Sequence, residues 1–293
     1  TRIEQVFIVS RHCDRTPISD IELPNEPVNW VNHLGIAQGQ LTGLGIAQCF
    51  HMGQHLRSRY LLPNSPHQIR DITHHQFDSE QFKLTSTSVD RTIISLNAVS
   101  QALFPNGTGL KNDINDNQPS LLGDISLVPV HTIPEHEDVL LRGFERCPTI
   151  DHRLTNLYSS AQFLKLQREY APLMDMVANV TGREIRDFRD YYWVYDVLVV
   201  QKSHHMLKRL EVLLDEDNWS RIQELGNLVN YQKYTRKLQQ NLGAGPLMQT
   251  VLDSFSKVVT DHTREKVKYI HMSAHDSTLE SIFATLDIDG MYP

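Results

Sequence analysis

Short apolar runs alternate with longer segments of helical spacing over much of the chain. The runs at 6–9, 82–86, 125–130 and 267–272 are brief and contain β-branched or alternating residues, a pattern that predicts buried strands. Residues 41–62, 93–103, 250–259 and 279–286 have helical spacing, and Thr42 is the expected N-cap of the first of these helices. This order predicts an α/β fold with a mainly parallel sheet flanked by helices.

Ionisable residues stand at or just after the ends of the predicted strands. They are Arg11, His12 and Arg15 after the first, Arg91 at the junction of the second with a helix, His131 after the third, and His275 and Asp276 after the last. Because the carboxyl ends of parallel strands share one edge of a sheet, we expect these side chains to converge. Arg and His at strand ends are also common as plain surface residues, which is the alternative interpretation.

The residue types at this edge suit one kind of chemistry. Guanidinium groups bind an anion in a fixed fork, an imidazole can act as a nucleophile, and a carboxyl group can protonate a leaving group. The set therefore favours phosphoryl transfer.

A change of pattern divides the chain into two predicted domains. From about 135 to 240, charged and apolar residues interleave at helical spacing, and strand signals vanish. We interpret residues 1–134 and 241–293 as the α/β domain and residues 135–240 as an inserted α-helical cap domain.

Composition and charge exclude several classes of partner. The 293 residues are 40% hydrophobic and 22% charged, as in an ordinary globular protein. The net charge of −7 and the lack of a Lys/Arg-rich run argue against nucleic acid and anionic membranes as partners. The most apolar segment, 194–200, is interrupted by Asp196, and no apolar run is long enough to span a membrane.

Sequons and cysteines bear on the cellular compartment. Asn106, Asn179 and Asn218 each begin an N-x-[ST] sequon, which favours secretion, and the lack of an initiator Met or signal peptide fits a mature, processed form or a trimmed chain. The cysteines are Cys13, Cys49 and Cys147. This odd number requires at least one free thiol or a partner outside the chain.

Other catalytic motifs are missing from the sequence. It has no Walker A loop, no G-x-S-x-G elbow and no C-x-x-C pair. His51 and His55 have the i, i+4 spacing of metal-binding helices, but no Glu follows His51 as in H-E-x-x-H. We expect these two histidines to lie on a solvated helix face.

Residues 11–17 read R-H-C-D-R-T-P, and residues 273–278 read S-A-H-D-S-T. They resemble the R-H-G-x-R-x-P and S-A-H-D-[ST]-T signatures of the histidine acid phosphatases, the branch of the histidine phosphatase superfamily that includes the prostatic and lysosomal enzymes. Leu41-Thr42 with Gly45 and Gln48, the segment 86–92 and the segment 130–132 match in the same order. The resemblance covers nearly the whole chain.

The resemblance implies a role for each edge residue. His12 would attack phosphorus and become a phosphohistidine, and Asp276 would protonate the leaving alcohol. The phosphate oxygens would be held by Arg11, Arg15, Arg91 and His275. It implies a phosphate monoester substrate, no metal or other cofactor, and a secreted or lysosomal glycoprotein. Whether the chain forms a homodimer stays open.

The sequence departs from the family in two places. Cys13 replaces the signature Gly, which would narrow or strain the site, and its thiol would be either reactive or buried. The chain ends at Pro293, where relatives continue and supply a partner for a Cys in the position of Cys147, so we expect a truncated chain. These departures leave two alternatives to an acid phosphatase: a non-catalytic relative that binds phosphorylated ligands or a protein partner, and a phytase.

Overall fold

A computed structural model describes residues 2–112, 114, 118–210, 213, 215–260 and 266–288. The chain forms two compact units, each of which is described by itself. The first comprises residues 1–14, 41–146 and 244–279, and the second comprises residues 15–40, 147–243 and 280–293. The division at 135–240 into α/β and cap domains stays a prediction. The C-terminal residues 291–293, on which the expected truncation depends, lie outside the described residues.

The first unit contains a four-stranded sheet of β1 (Val6–Arg11), β2 (Phe82–Thr87), β5 (His131–Ile133) and β6 (Tyr269–Ala274). The strand order is β1-β6-β2-β5, and all three strand pairs are parallel. Two further strands, β3 (Lys111–Asn112) and β4 (Gln118–Pro119), form a small antiparallel pair. The register pairs Ser10 with Ser273 and Ser273 with Ser86, so β1, β6 and β2 end at one edge. The prediction of a mainly parallel α/β fold is confirmed.

Helices make up most of the remaining regular structure. They are α1 (Trp30–Leu34), α2 (Gly43–Tyr60), α3 (Asp90–Leu103), α4 (Pro148–Tyr158), α5 (Ala161–Thr181), α6 (Phe188–Ser203), α7 (Glu216–Tyr231), α8 (Arg236–Gln239), α9 (Gly245–Thr260) and α10 (Asp276–Leu286). The four long helices predicted at 41–62, 93–103, 250–259 and 279–286 are all present with slightly different ends. No helix among the described residues is both long and apolar enough to cross a membrane.

Helix α2 packs through small residues. The predicted N-cap is confirmed, because the Thr42 hydroxyl accepts a hydrogen bond from the Gly45 N–H at 3.0 Å. The buried positions along α2 are Gly45, Cys49, Gly53 and Leu56. A Cβ at Gly53 would lie 2.6 Å from the Val99 carbonyl oxygen of α3, so the two helices approach too closely for a side chain there. This small-residue face lets α2 contact both α3 and the segment after β1.

The third predicted strand is wrong in its position. Residues 125–130 form no strand, and β5 instead begins at His131, which pairs with Thr85. Val128 and Val130 pack against the apolar core of the first unit, so their alternation reflects burial of an extended segment without ladder hydrogen bonds. His131 is exposed at the start of a strand and does not lie at the carboxyl end of one.

The second unit is helical and has its own core. Apolar residues of α5, α6 and α7 surround the fully buried Tyr191, whose hydroxyl donates to the Ile222 carbonyl oxygen at 2.8 Å. Asp187 caps the N-terminus of α6, and Asp215 caps that of α7. Helix α5 ends at Gly182, whose φ of 73° places it in the left-handed region that favours glycine.

Candidate active site

The segment after β1 is fastened to the N-terminus of α2. The Asp14 carbonyl oxygen accepts a hydrogen bond from the Thr42 N–H at 3.1 Å, and the carboxylate of Asp14 accepts one from the Thr42 hydroxyl. A Cβ at Gly45 would lie 2.1 Å from the Asp14 carbonyl oxygen, so only glycine allows this approach. Gln48 accepts a further hydrogen bond from the Asp14 N–H at 3.0 Å. The motif residues Thr42, Gly45 and Gln48 thus hold the segment that carries His12.

His12 is 3% exposed, and its Nδ1 lies 2.8 Å from the Cys13 carbonyl oxygen. A carbonyl oxygen can only accept, so Nδ1 carries the proton and Nε2 carries the lone pair. The rings of His12 and His275 are in edge-to-face contact, with centroids 5.6 Å apart. The fold therefore presents an imidazole in the tautomer that a nucleophile requires.

Arg11 and Asp276 form an ion pair at the same edge. The Arg11 Nε donates to the Asp276 Oδ2 at 3.3 Å, and the two side chains are 38% and 44% exposed. Asp276 is the first residue of α10, and its Oδ1 accepts a hydrogen bond from the Ser277 N–H at 2.9 Å. Both contacts stabilise a carboxylate at this position.

His275 lies between β2 and the start of α3. Its Nδ1 is 3.5 Å from the Arg91 Nη2, and its Nε2 is 3.1 Å from the Thr87 hydroxyl. Since a guanidinium can only donate, Nδ1 is the acceptor and Nε2 carries the proton. Burial, followed by the charges of Arg91 and Arg142, lowers the pKa of His275 to about 3. His275 is therefore neutral, and the positive charge next to it resides on the arginines.

The predicted edge residues of the first unit do come together. Arg11, His12, Arg91, His275 and Asp276 are linked by the contacts described above, and they come from the ends of β1 and β6 and the first turn of α3. His131 takes no part in these contacts. Among the described residues, no cluster of three or more His, Cys, Asp or Glu side chains could hold a metal ion.

Arg15 belongs to the second unit. It is 5% exposed, and its terminal nitrogens donate to both carboxylate oxygens of Asp196, at 2.8 and 3.4 Å. Asp196, 12% exposed on α6, also accepts a hydrogen bond from the Ile18 N–H at 3.1 Å. The Arg15 Nε is buried and has no hydrogen-bond partner among the described residues. The guanidinium is thus held by its two terminal nitrogens.

Sequence reasoning missed two charged residues, Asp196 and Arg142, that interact with predicted site residues. Asp196 appeared only as an interruption of an apolar segment, a signal that could have indicated a buried partner for an arginine. Arg142 lies in an irregular segment after β5, and its local sequence gave no signal. It pairs with Glu135 at 3.0 Å and with Glu145, and its charge contributes to the lowered pKa of His275.

The expectation of a free Cys13 thiol is wrong. Cys13 forms a disulfide with Cys49 of α2, and Cys147 is the free cysteine. Cys13 is not among the described residues with positive φ, so the backbone there does not require glycine. Its side chain points to α2 and packs beside the core of the first unit. Neither the expected strain nor a reactive thiol is present in this state.

The sequence matches the histidine phosphatase superfamily (branch 2) over residues 2–292, and the chain belongs to this family. The prostatic acid phosphatase of Bos taurus is 30% identical over 98% of this chain and 70% of its own length. That of Rattus norvegicus is 31% identical over 98% and 71%, and the lysosomal acid phosphatase of Xenopus laevis is 28% identical over 97% and 61%. The chain is therefore an enzyme of the histidine acid phosphatase type, a hydrolase.

Solved structures with the same fold include two bacterial phytases. The phytase of Citrobacter braakii has a TM-score of 0.67 at 16% identity, covering 98% of this chain and 76% of its own. The Hafnia alvei phytase in complex with tartrate has a TM-score of 0.66 at 15% identity, covering 97% and 75%. At these identities the likeness concerns the fold alone, and it agrees with the predicted α/β fold.

Proposed function

We propose that the chain hydrolyses phosphate monoesters at acidic pH through a phosphohistidine on His12. The observation that carries the proposal is the cluster at the carboxyl edge of the sheet. There an imidazole with its lone pair on Nε2 stands among two arginines, a second histidine and a carboxyl group. Family membership supports the same chemistry.

In the first step, the Nε2 lone pair of His12 attacks phosphorus and the bond to the ester oxygen breaks. The Cys13 carbonyl oxygen, 2.8 Å from Nδ1, stabilises the positive charge that develops on the ring. Arg11, Arg91 and His275 bind the oxygens of the transferring group, and His275 also contacts Arg91 at 3.5 Å. We assign Arg15 to the same task on its place in the R-H-x-x-R motif.

Asp276 protonates the departing alcohol. Its carboxylate pairs with Arg11, but a phosphate dianion would attract Arg11 and repel the negative charge of the carboxylate. Both effects, together with an acidic medium, favour the protonated carboxyl. Water then attacks the phosphohistidine and gives a proton to the Asp276 carboxylate, the P–N bond breaks, and inorganic phosphate leaves with His12 and the Asp276 carboxyl group restored.

The direct test is release of phosphate from an aryl phosphate without added metal, from about pH 4 to about pH 8. The proposal expects hydrolysis that is fastest at the acidic end. No release at any pH, combined with measurable binding of inorganic phosphate, would support the non-catalytic alternative. Parallel assays with myo-inositol hexakisphosphate test the phytase alternative, against which the net charge of −7 argues mildly.

We also infer that the protein is a secreted or lysosomal glycoprotein. Asn106 and Asn179 are exposed at their sequons, and a disulfide fits an oxidising compartment. Prostatic and lysosomal enzymes are among its relatives. Expression through a eukaryotic secretory pathway should give a product whose mass falls after endoglycosidase treatment. A homodimer stays a prediction, which light scattering on that product would test.

A further inference from the structure

Cys13, which stands where the family signature has glycine, is bonded to Cys49 directly beside the proposed nucleophile. Both cysteines belong to the first unit, as do His12, Arg11, Arg91 and His275. We propose that the Cys13–Cys49 disulfide is a positioning cross-link for His12, so that hydrolysis depends on its oxidation state. The inference rests on the proposed function of His12.

One peptide group connects the disulfide to His12. The carbonyl oxygen of Cys13 accepts the His12 Nδ1–H at 2.8 Å, and the N–H of the same peptide group, from Asp14, donates to the Gln48 Oε1 at 3.0 Å. Cys49 follows Gln48 on α2 and bonds to the side chain of Cys13. Gln48 thus restrains the plane of this peptide group, and Cys49, the next residue of α2, restrains the neighbouring Cα of Cys13. The peptide plane in turn fixes the direction of the imidazole.

The covalent link differs from the other restraints on residue 13. Gln48 is exposed, so water competes for its hydrogen bond to Asp14. The Ser95 hydroxyl accepts the Cys13 N–H at 3.1 Å, but that bond restrains the preceding peptide group. Cys49 is fully buried, and its bond to Cys13 does not exchange with water. The Thr42 contacts of Asp14 act on its side chain and on the following peptide group. Breaking the disulfide therefore leaves the peptide group that orients His12 restrained directly by the exposed Gln48 hydrogen bond.

A dithiol such as dithiothreitol can reduce the Cys13–Cys49 disulfide without any further reagent. One thiolate of dithiothreitol attacks a sulfur of the disulfide, the Sγ–Sγ bond breaks, and a mixed disulfide forms. The second thiol then closes the reagent into a cyclic disulfide. Two electrons and two protons pass to Cys13 and Cys49, which become thiols, and the reagent is oxidised.

Loss of the cross-link should affect the chemical step more than binding. A nucleophile displaced by about 1 Å can cost on the order of 10²-fold in rate, and we expect a fall in kcat of about 10-fold or more. The proposed phosphate ligands Arg11 and Arg91 are held by Asp276 and His275, so the inhibition constant of inorganic phosphate should change less than about 2-fold. If the disulfide were purely structural, its loss would lower the melting temperature but would leave kcat unchanged at temperatures well below the melting temperature.

The experiment compares oxidised and reduced protein at a temperature where both are folded. Thiol labelling should count one free cysteine before dithiothreitol and three after it. Together with that change, kcat should fall while phosphate inhibition is retained. Reoxidation should restore turnover. Three thiols with full activity, or three thiols in the untreated protein, would overturn the inference. An oxidised protein that hydrolyses no ester would instead contradict the proposed function.

Variants separate the disulfide from other effects of the reagent. Cys147→Ser is the matched control and should remain sensitive to dithiothreitol, because Cys147 is not in the disulfide. Cys13→Gly combined with Cys49→Ala should be insensitive. If dithiothreitol does not break the bond, Cys49→Ser supplies the protein without it. A wild-type kcat in Cys49→Ser would refute the proposed positioning role of the disulfide. Continued sensitivity of the double variant to dithiothreitol would refute it as well.

Discussion

Two histidines in and beside β6 have different surroundings: His271 lies in the interior of the strand, and His275 directly follows its carboxyl end. In the interior, His271 of β6 is fully buried, with its Nε2 2.9 Å from the Ser10 hydroxyl and its Nδ1 3.2 Å from the Tyr269 hydroxyl. At the end, His275 lies beside Thr87 and Arg91. The pKa of each histidine is lowered to about 3.

The causes of these equal pKa values differ. Burial alone lowers the pKa of His271, whereas His275 is also affected by Arg91, Arg142 and Arg11. A lowered histidine pKa therefore does not by itself indicate an active site. The arginines around His275 are what distinguish it from His271. Changes in the strand interior should alter stability, and changes at the strand ends should alter catalysis.

The largest expected effect is at His12. His12→Ala removes the proposed nucleophile and should lower kcat by at least ~10³-fold, since uncatalysed monoester hydrolysis is extremely slow. The interior control, His271→Gln, should keep kcat near the wild-type value. Steady-state hydrolysis of an aryl phosphate measures both. Near-normal turnover in His12→Ala would contradict the assignment, and a comparable loss in His271→Gln would remove the distinction between interior and ends.

Asp276→Asn should show a loss that depends on the leaving group. The amide keeps the shape of the side chain but cannot donate the proton, so alkyl phosphates should lose about 10²-fold or more in kcat. Aryl phosphates, whose leaving groups need less protonation, should lose much less. Equal losses for the two substrate classes would count against a general acid at this position.

Arg91→Lys should weaken phosphate binding while leaving a positive charge in place. A lysine cannot reproduce the planar fork of a guanidinium, and the lost charge-assisted hydrogen bonds should raise the inhibition constant of inorganic phosphate about 10-fold. Lys83→Arg, an exposed change on β2, is the control and should have no effect. An unchanged inhibition constant in Arg91→Lys would mean that Arg91 does not bind the phosphate.

The effect farthest from catalysis concerns the dependence of stability on pH. The pKa of His271 is about 3 in the folded protein and near 6.5 when unfolded, so only the unfolded state takes up its proton between those values. Its contribution is present above pH 6.5 and is lost as pH falls, by about 1.4 kcal/mol for each pH unit. In His271→Gln, the unfolding free energy from urea titrations should fall less steeply by that amount. A wild-type slope in His271→Gln would refute the linkage.

Much of the fold and the site followed from local sequence patterns. Apolar runs that end in ionisable residues located β1 and β6, because buried parallel strands are continuous in hydrophobicity and their ends are polar, whereas β2 was predicted from a weak alternation. Alternation failed to place the strand predicted at 125–130. It reports which side chains are buried, but it does not show which residues pair with β2, and that pairing begins only at His131. Helix α2 was found, but its packing face of small residues was not, because Gly45 and Gly53 add no hydrophobicity.

The remaining features depend on distances that a sequence does not contain. The Cys13–Cys49 bond joins residues 36 positions apart and required knowing that α2 packs on the segment after β1. The pairing of Arg15 with Asp196 joins residues whose separation along the chain is far larger still. The tautomer of His12 depends on one carbonyl oxygen, which no residue type reveals.

The most direct measurement is the trapping of a phosphoenzyme. Rapid acid-free quenching of the oxidised protein during turnover of a labelled phosphate monoester, followed by peptide mapping, should locate the label on the peptide that contains His12. The bond should be labile to acid and stable to alkali, as a phosphoramidate is, and the label should be lacking in His12→Ala. Label on another residue, or turnover with no label under conditions where breakdown is rate-limiting, would contradict a phosphohistidine mechanism at His12.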